Sequence, residues 1–355
     1  MRKRTVSVNH NSYDILLGQD LLSGCGQLIR QVSKANRAVI VSDSNVFPLY
    51  GEAVQKSLEE AGFSVCSFVF PAGEKSKTLA TVEGLYECLS QSYMTRSDIL
   101  VALGGGVTGD MAGFAAATYL RGIDFVQIPT TLLSQIDSSV GGKTGVDLPL
   151  GKNMVGAFYQ PRLVLMDTNT LQTLPARYFA DGMAEVIKTA AIRSEALFER
   201  LEKEQAEDFL EDMIFECLCI KAGIVERDEK EQNERKLLNF GHTLGHAIEN
   251  YLHYDIMSHG EAVGVGMVLL TDCCEKAGLS PEGTGARIAA LLARYNLPQN
   301  TDIPMEALAP LTRHDKKQGQ GGLSLVYLSR IGCGEIKTLT NQQLESLLLS
   351  PKKSK

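Results

Sequence analysis

The chain has 355 residues, 44% of them hydrophobic and 22% charged, a composition that supports packed cores and excludes a disordered chain. At about 150 residues per domain, this length suggests two domains. A net charge of −7 and a pI of 5.5 argue against nucleic acid or a membrane surface as partner, and no apolar run reaches the ~18 residues of a membrane-crossing helix.

The basic N-terminus, MRKRTVSVNHNS, lacks the apolar core of a secretory signal. Residues 4–17 alternate around His10, Asn11 and Ser12 and predict a hairpin. Short apolar runs follow at 38–41, 65–70, 99–103, 125–128 and 163–166, separated by helical patterns. Apolar on both faces, they predict a parallel sheet covered on both sides. The character changes after Thr173: Pro175 and RYFADGMAEVIKTAAIRSEALFERLEKE open a helical stretch that continues to Arg294, and a single strand-like run follows at 323–328. The expected architecture is α/β. An N-terminal, parallel-sheet, nucleotide-binding (Rossmann-like) domain covers 1–174, and a mostly α-helical, metal- and substrate-binding domain covers 175–355. Eight cysteines without a CxxC pair predict free thiols in a reducing cytoplasm.

The stretch DILVALGGGVTGDMAGFAAATYL combines a strand, a glycine turn and a helix, and Gly104, Gly106 and Gly109 satisfy GxGxxG. Such a turn brings backbone N–H groups and a helix N-terminus against a diphosphate. Asp43, after the 38–41 run, can accept from a ribose hydroxyl or cap the next helix. PAGEKSK places Glu74 and Lys77 three residues apart. The segment 129–161 is rich in Gly, Ser and Thr, carries Lys143, Lys152 and Asn153, and reads as a functional loop suited to phosphate. NFGHTLGHAIEN places His242, His246 and Glu249 on one helical face, His259 opens the next apolar helix, and Glu185 lies in GMAEVIKTA with Lys188 one turn on. Two imidazoles and a carboxylate suit a catalytic zinc. Spacing alone leaves His246, His259 and Glu249 open as ligands. Lys221 falls on an apolar helix face and must meet an anion or snorkel outward. Arg235 can hold a carboxylate in a two-pronged fork. Lys316 and Lys317 lie in HDKKQGQGG.

Together, PAGEKSK, ALGGGVTGD, YLRGIDFVQIPTTLLSQIDSSVGGKTGVDLPLGKNMVGAFYQP, DGMAEVIK, LNFGHTLGHAIE, SHGEAVGVGM and DKK resemble, in order, the 3-dehydroquinate synthase family of sugar-phosphate cyclases. The resemblance implies a zinc (or cobalt) held by Glu185, His242 and His259, with His246 a second group at the chemistry. It implies NAD contacts from Asp43, Glu74, Lys77, Gly105, Gly106, Asp110, Thr130, Thr131, Lys143, Lys152, Thr170 and Thr173. It implies substrate contacts from Asp137, Asn153, Lys188, Lys221, Arg235, Asn239 and Lys316 (or Lys317), with Arg121 reaching the substrate phosphate across a homodimer interface. The implied substrate is a small phosphorylated sugar acid, 3-deoxy-D-arabino-heptulosonate 7-phosphate. It would become 3-dehydroquinate and phosphate in the shikimate pathway, by transient NAD oxidation, phosphate β-elimination, re-reduction and intramolecular aldol closure. Thr189-Ala190 and Asp147 depart from the family pattern at positions without a chemical role. Another sugar-phosphate cyclase and a metal-dependent polyol dehydrogenase are the competing expectations.

Overall fold

The computed structural model describes residues 1–8, 11–253, 256–312 and 322–349. The chain divides into two compact units, Met1–Pro175 with Lys221–Glu229, and Ala176–Ile220 with Lys230–Lys355. Residues Lys221–Glu229, expected with the C-terminal half, therefore group with the first unit. Their ties there are specific: Lys221 pairs with Asp137, Glu226 with Arg4 (2.6 Å), and Glu229 accepts from Gln160 Nε2 (2.8 Å).

The first unit contains β1 (Arg2–Val8), β2 (Asn11–Gly18), β3 (Arg37–Asp43), β4 (Ser64–Phe70), β5 (Ile99–Gly104), β6 (Asp124–Pro129), β7 (Lys143–Leu148), β8 (Gly151–Phe158) and β9 (Leu163–Asp167). Its helices are α1 (Cys25–Val32), α2 (Phe47–Glu60), α3 (Leu79–Gln91) and α4 (Gly106–Thr118). Among the described residues, one sheet runs β1-β2-β9-β6-β5-β3-β4, parallel except for the β1–β2 hairpin at its edge.

The two faces explain the unbroken apolar runs. Ala38, Ile40, Ile99, Val101 and Leu103 pack on one side against Cys25 and Ile29 of α1 and Val54 and Leu58 of α2. Their neighbours Val39, Val41, Leu100 and Ala102 pack on the other, against Val82, Leu85 and Leu89 of α3 and Met111, Ala112 and Ala115 of α4. Side chains alternate across a strand, so a strand covered on both faces must be apolar at every position. Each fully buried Val, Leu or Ile contributes about 1.5–3 kcal/mol relative to exposure. β3 has β4 on one side and β5 on the other, so the strand order reverses there and opens a crevice at the carboxyl ends. Asp43 ends β3, and Gly104 ends β5, at that edge.

The segment 129–161 is not the loop its composition suggests. A π-helical turn (Ser134–Ser138) leads into the antiparallel pair β7–β8. Gly145 stands opposite Gly156, and a Cβ on Gly145 would lie 2.6 Å from the Val155 carbonyl oxygen. Residues chosen for close backbone approach erase the apolar alternation that identifies a strand.

The second unit holds α5 (Ala176–Arg193), α6 (Glu195–Lys203), most of α7 (Leu210–Arg227), α8 (His242–Tyr251), α9 (His259–Lys276), α10 (Thr284–Arg294), α11 (Met305–Leu311) and α12 (Asn341–Leu348). β10 (Leu323–Arg330) pairs antiparallel with β11 (Cys333–Leu339), a strand the sequence conceals because only Gly334 and Leu339 of it are buried. α5 is buried from Asp181 to Ile192, and α9 is buried along nearly its whole length. Helices apolar on all sides belong inside a bundle. Gly241, at φ +79°, takes a left-handed turn directly before His242, and a Cβ there would sit 2.8 Å from the Val263 carbonyl oxygen. α8 and α9 therefore meet backbone to backbone at their histidine-bearing ends. Among the described residues no helix is long and apolar enough to cross a membrane.

Candidate active site

In the first unit, β5 ends at Gly104 and α4 starts at Gly106, with Gly105 extended between them (φ −77°, ψ −167°) and no side chain capping the helix. The first N–H groups of α4 are thus open to a ligand anion. A Cβ on Gly106 would lie 3.1 Å from Ser138 Oγ, and one on Gly109 would lie 2.8 Å from Gln127 Oε1 on β6. The glycines therefore serve close approach and helix–strand packing. Asp43 Oδ1 accepts from the N–H groups of Asn45 (2.8 Å) and Val46 (3.1 Å), so it does cap the next turn; Oδ2 accepts from Thr108 Oγ1 on α4 (3.5 Å).

Of Glu74 and Lys77, only the lysine is withdrawn from solvent; Glu74 stays exposed. Lys77 is 4% exposed and lies 2.6 Å from Asp110 and 3.9 Å from Glu74, and it donates to Asn153 Oδ1 (2.7 Å). Asn153, itself left-handed (φ +53°), donates its N–H to Asp147 Oδ1 (2.7 Å). Burial pulls the Lys77 ammonium down, but Asp110, Glu74 and Asp147 outweigh it and hold its pKa above the ordinary lysine value. Burial pushes the Glu74 carboxyl up, against the pull of Lys77 and Lys152. Asp147, given no role from sequence, links this cluster to the β7–β8 hairpin.

Thr131 caps the turn to Ser134 (Ser134 N–H to Oγ1, 3.1 Å), while the buried Thr130 Oγ1 has no hydrogen-bond partner. Thr170 Oγ1 donates to the Asp167 carbonyl (2.7 Å), and Thr173 Oγ1 meets the Tyr50 hydroxyl. Lys143 is exposed at the start of β7, and Lys152 is half-buried on β8. The uncapped helix, the glycine approach and the partnerless hydroxyl together fit an anionic dinucleotide.

In the second unit, Glu185 is fully buried on α5, and neither of its carboxylate oxygens accepts a hydrogen bond. Lys188, 1% exposed and one turn on, is in ion-pair contact with Oε2. His242 Nε2 and His259 Nε2 each lie 3.8 Å from Glu185 Oε1. The two rings meet edge-on with centroids 5.3 Å apart. Tetrahedral bonds of about 2.0–2.1 Å place ligand atoms roughly 3.4 Å apart, so a small contraction would close the three around a cation. A carboxylate oxygen without a hydrogen-bond partner, beside two imidazole nitrogens, completes a donor set for a divalent N/O-binding metal. His242 is the first residue of α8, and its Nδ1 is 3.2 Å from the Phe240 carbonyl oxygen. His259 is the first residue of α9, where Ser258 and Glu261 form a capping box; Ser258 Oγ also bonds Asp181. The S-x-x-E spacing of Ser258 and Glu261 is the sequence signal of this network. His246, Glu249 and His259 form a second, overlapping group.

Of the two readings of Lys221, an anion partner or an outward snorkel, the structure shows the first: Lys221 is 6% exposed, and Nζ contacts the Asp137 carboxylate and donates to its carbonyl oxygen. Arg235 is 3% exposed, and Asn239 donates to Glu231 Oε1; both lie on the 3-10 segment Glu234–Asn239 that leads to α8. Arg121 is exposed and stands at the far end of α4 from the glycine turn, about 20 Å along a 13-residue helix. Three consecutive positive φ angles, at Leu120, Arg121 and Gly122, shape its turn. Lys316 and Lys317 lie outside the described residues.

Residues 67–181 match the family model described as 3-dehydroquinate synthase N-terminal, and residues 182–318 match 3-dehydroquinate synthase C-terminal. A 3-dehydroquinate synthase from Clostridium perfringens is 47% identical over 352 residues, covering 97% of this chain and 100% of the relative. Among solved structures, 2-epi-5-epi-valiolone synthase from Streptomyces hygroscopicus, with NAD+ and Zn2+ bound, is 27% identical at a TM-score of 0.86, covering 98% of each chain. A 2-deoxy-scyllo-inosose synthase complexed with carbaglucose-6-phosphate, NAD+ and Co2+ is 26% identical at a TM-score of 0.83, covering 98% of this chain and 99% of that one. The family models cover both the glycine turn with its lysine cluster and the Glu185, His242 and His259 grouping, and the identity runs nearly end to end: the chain belongs to the 3-dehydroquinate synthase family.

Proposed function

We propose that this chain is a lyase that converts 3-deoxy-D-arabino-heptulosonate 7-phosphate to 3-dehydroquinate and phosphate, with NAD and a divalent cation, zinc or cobalt, as cofactors. The observation that carries this is the buried carboxylate of Glu185, whose Oε1 accepts no hydrogen bond and faces two imidazole nitrogens, in a chain that also has an uncapped glycine turn. The 47% identity to a curated synthase, against 26% and 27% to the inosose and valiolone synthases, favours this substrate over other sugar phosphates. A polyol dehydrogenase is not favoured.

When bound, NAD supplies a reversible hydride acceptor, and the cation supplies a Lewis acid for the substrate hydroxyls. Glu185, His242 and His259 would hold the cation. The N–H groups at Gly105 and Gly106 would hold the diphosphate, with Asp43, Glu74, Lys77, Asp110, Thr130, Thr131, Lys143, Lys152, Thr170 and Thr173 around the rest of the dinucleotide. Lys221 and Arg235 are the cations for the substrate carboxylate, and Arg235 can grip it with two parallel N–H bonds. Asn153 and Lys316 would hold the leaving phosphate. Lys188, Asn239, Asp137 and His246 would orient the hydroxyl groups and hold or pass their protons. The net reaction needs no external oxidant, because substrate and products differ only by the loss of phosphate and ring closure.

We place the chain in the cytoplasm, on the support of eight cysteines of which none is joined in a disulfide. We further infer a homodimer in which the exposed Arg121 serves the partner's phosphate site. A substrate panel tests the assignment. Phosphate release from the heptulosonate phosphate should exceed that from sedoheptulose 7-phosphate, which lacks the carboxylate, by at least about 100-fold, the loss of a buried charge pair. Equal rates on both would reassign the chain to another cyclase reaction.

A further inference from the structure

Two overlapping groups of metal-binding side chains share His259. One adds Glu185 and His242; the other adds His246 and Glu249. The atoms used by His259 separate them. Its Nε2 is the atom 3.8 Å from Glu185 Oε1, and its Nδ1 is the atom 3.5 Å from Glu249 Oε1. One ring therefore has a carboxylate on each side. His242 repeats the arrangement with a different acceptor, its Nε2 toward Glu185 and its Nδ1 toward the Phe240 carbonyl.

Glu249 is 3% exposed on α8, seven residues after His242 and three after His246, hence on the same helical face. A carboxylate so buried is costly unless it faces donors, and His259 Nδ1, 3.5 Å away, can act as one when it carries the ring proton. The capping box of Ser258 and Glu261 fixes the backbone at His259 but not the rotation of its ring.

We propose that Glu249 is a positioning residue: as acceptor for the Nδ1–H of His259, it sets the tautomer that leaves Nε2 unprotonated and turns that nitrogen toward Glu185. The proposal rests on Glu185, His242 and His259 being the ligand set. A carboxylate behind a metal-binding imidazole orients the ring and raises its basicity, and removing such a partner weakens metal affinity about 10- to 100-fold.

The test is Co2+ binding by the metal-free full chain, followed by the visible absorption bands of the ion and by competition with a chelator. It compares wild type, Glu249→Gln, which keeps an acceptor oxygen without the charge, and Glu249→Leu, which removes both. The metal-free forms are first checked by circular dichroism; should the leucine variant fail to fold, the glutamine variant decides. The Kd for Co2+ should weaken about 10- to 100-fold in Glu249→Leu and less in Glu249→Gln. At saturation, all forms should keep the wild-type band positions, because the ligands are unchanged. An unchanged Kd in the variants overturns the proposal. Shifted bands at saturation also overturn it, by making Glu249 a ligand. If wild type itself binds no Co2+, the ligand set fails, which is a separate result.

Discussion

Glu185 concentrates the energetics of the second unit. It is fully buried: its Oε2 is in ion-pair contact with Lys188, itself 1% exposed, while its Oε1 accepts no hydrogen bond and faces His242 and His259 at 3.8 Å. Two charges taken out of water recover their cost only with further partners, and a divalent cation is such a partner. Zinc should therefore stabilise the fold: at 100 times its Kd, the gain is about 2.7 kcal/mol by mass action. Glu185→Gln should lose that increment and lose activity with it, as read by thermal melting with zinc and with chelator. A variant that keeps the full zinc-dependent shift would remove Glu185 from the ligand set. At this scale the sequence was partly legible. The spacing of His242, His246 and Glu249 put them on one face, but Glu185 comes from another helix, and only the fold shows which histidine nitrogens face it. Lys221 betrayed itself as a cation on an apolar face, yet Asp137, 84 residues away, could not be named as its partner from helical periodicity. Asp43 had two readings; its carboxylate closes the turn at Asn45 and Val46, while α2 itself follows Val46 without a side-chain cap.

Among the elements, β5 carries the glycine turn, and its entry is fixed by one carboxylate. Asp98 is 2% exposed and accepts from the N–H and hydroxyl of Thr95 (both 2.8 Å) and from the N–H of Arg37 at the start of β3 (2.9 Å). Burial pushes its carboxyl up, but these bonds outweigh burial and hold its pKa below 3.8. A carboxyl lowered on folding stabilises the fold above its unfolded value and loses that contribution as pH falls through its folded value. Asp98→Asn should cost about 1–3 kcal/mol at neutral pH. The gap in urea midpoint between variant and wild type should persist down to about pH 4 and close only below it. A pH-independent gap would assign the loss to packing instead. The central strands β3, β5, β6 and β9 were legible because both faces are covered. The β7–β8 hairpin was not, because glycines face each other there; nor was β11, where most residues keep some exposure. Irregular composition set the segment 129–161 apart but concealed its strands.

Across the whole molecule, the residues proposed for the dinucleotide lie in the first unit, and the three proposed for the metal lie in the second. The α/β class was legible from the alternation of apolar runs with helical patterns. The return of Lys221–Glu229 to the first unit was not, because α7 runs without a break through Ile220 and its ties to Asp137, Arg4 and Gln160 are tertiary. A reaction with no net redox change distinguishes the synthase from a dehydrogenase on the same fold. The most direct measurement is phosphate release from 3-deoxy-D-arabino-heptulosonate 7-phosphate by the full chain with NAD+ and zinc, with NADH absorbance followed in the same cuvette and the run repeated with chelator. Multiple-turnover phosphate release that chelator abolishes and zinc or cobalt restores, with no NADH accumulating, is the expected result. A folded, metal-loaded protein that releases no phosphate, or one that builds up NADH in step with turnover, would contradict it.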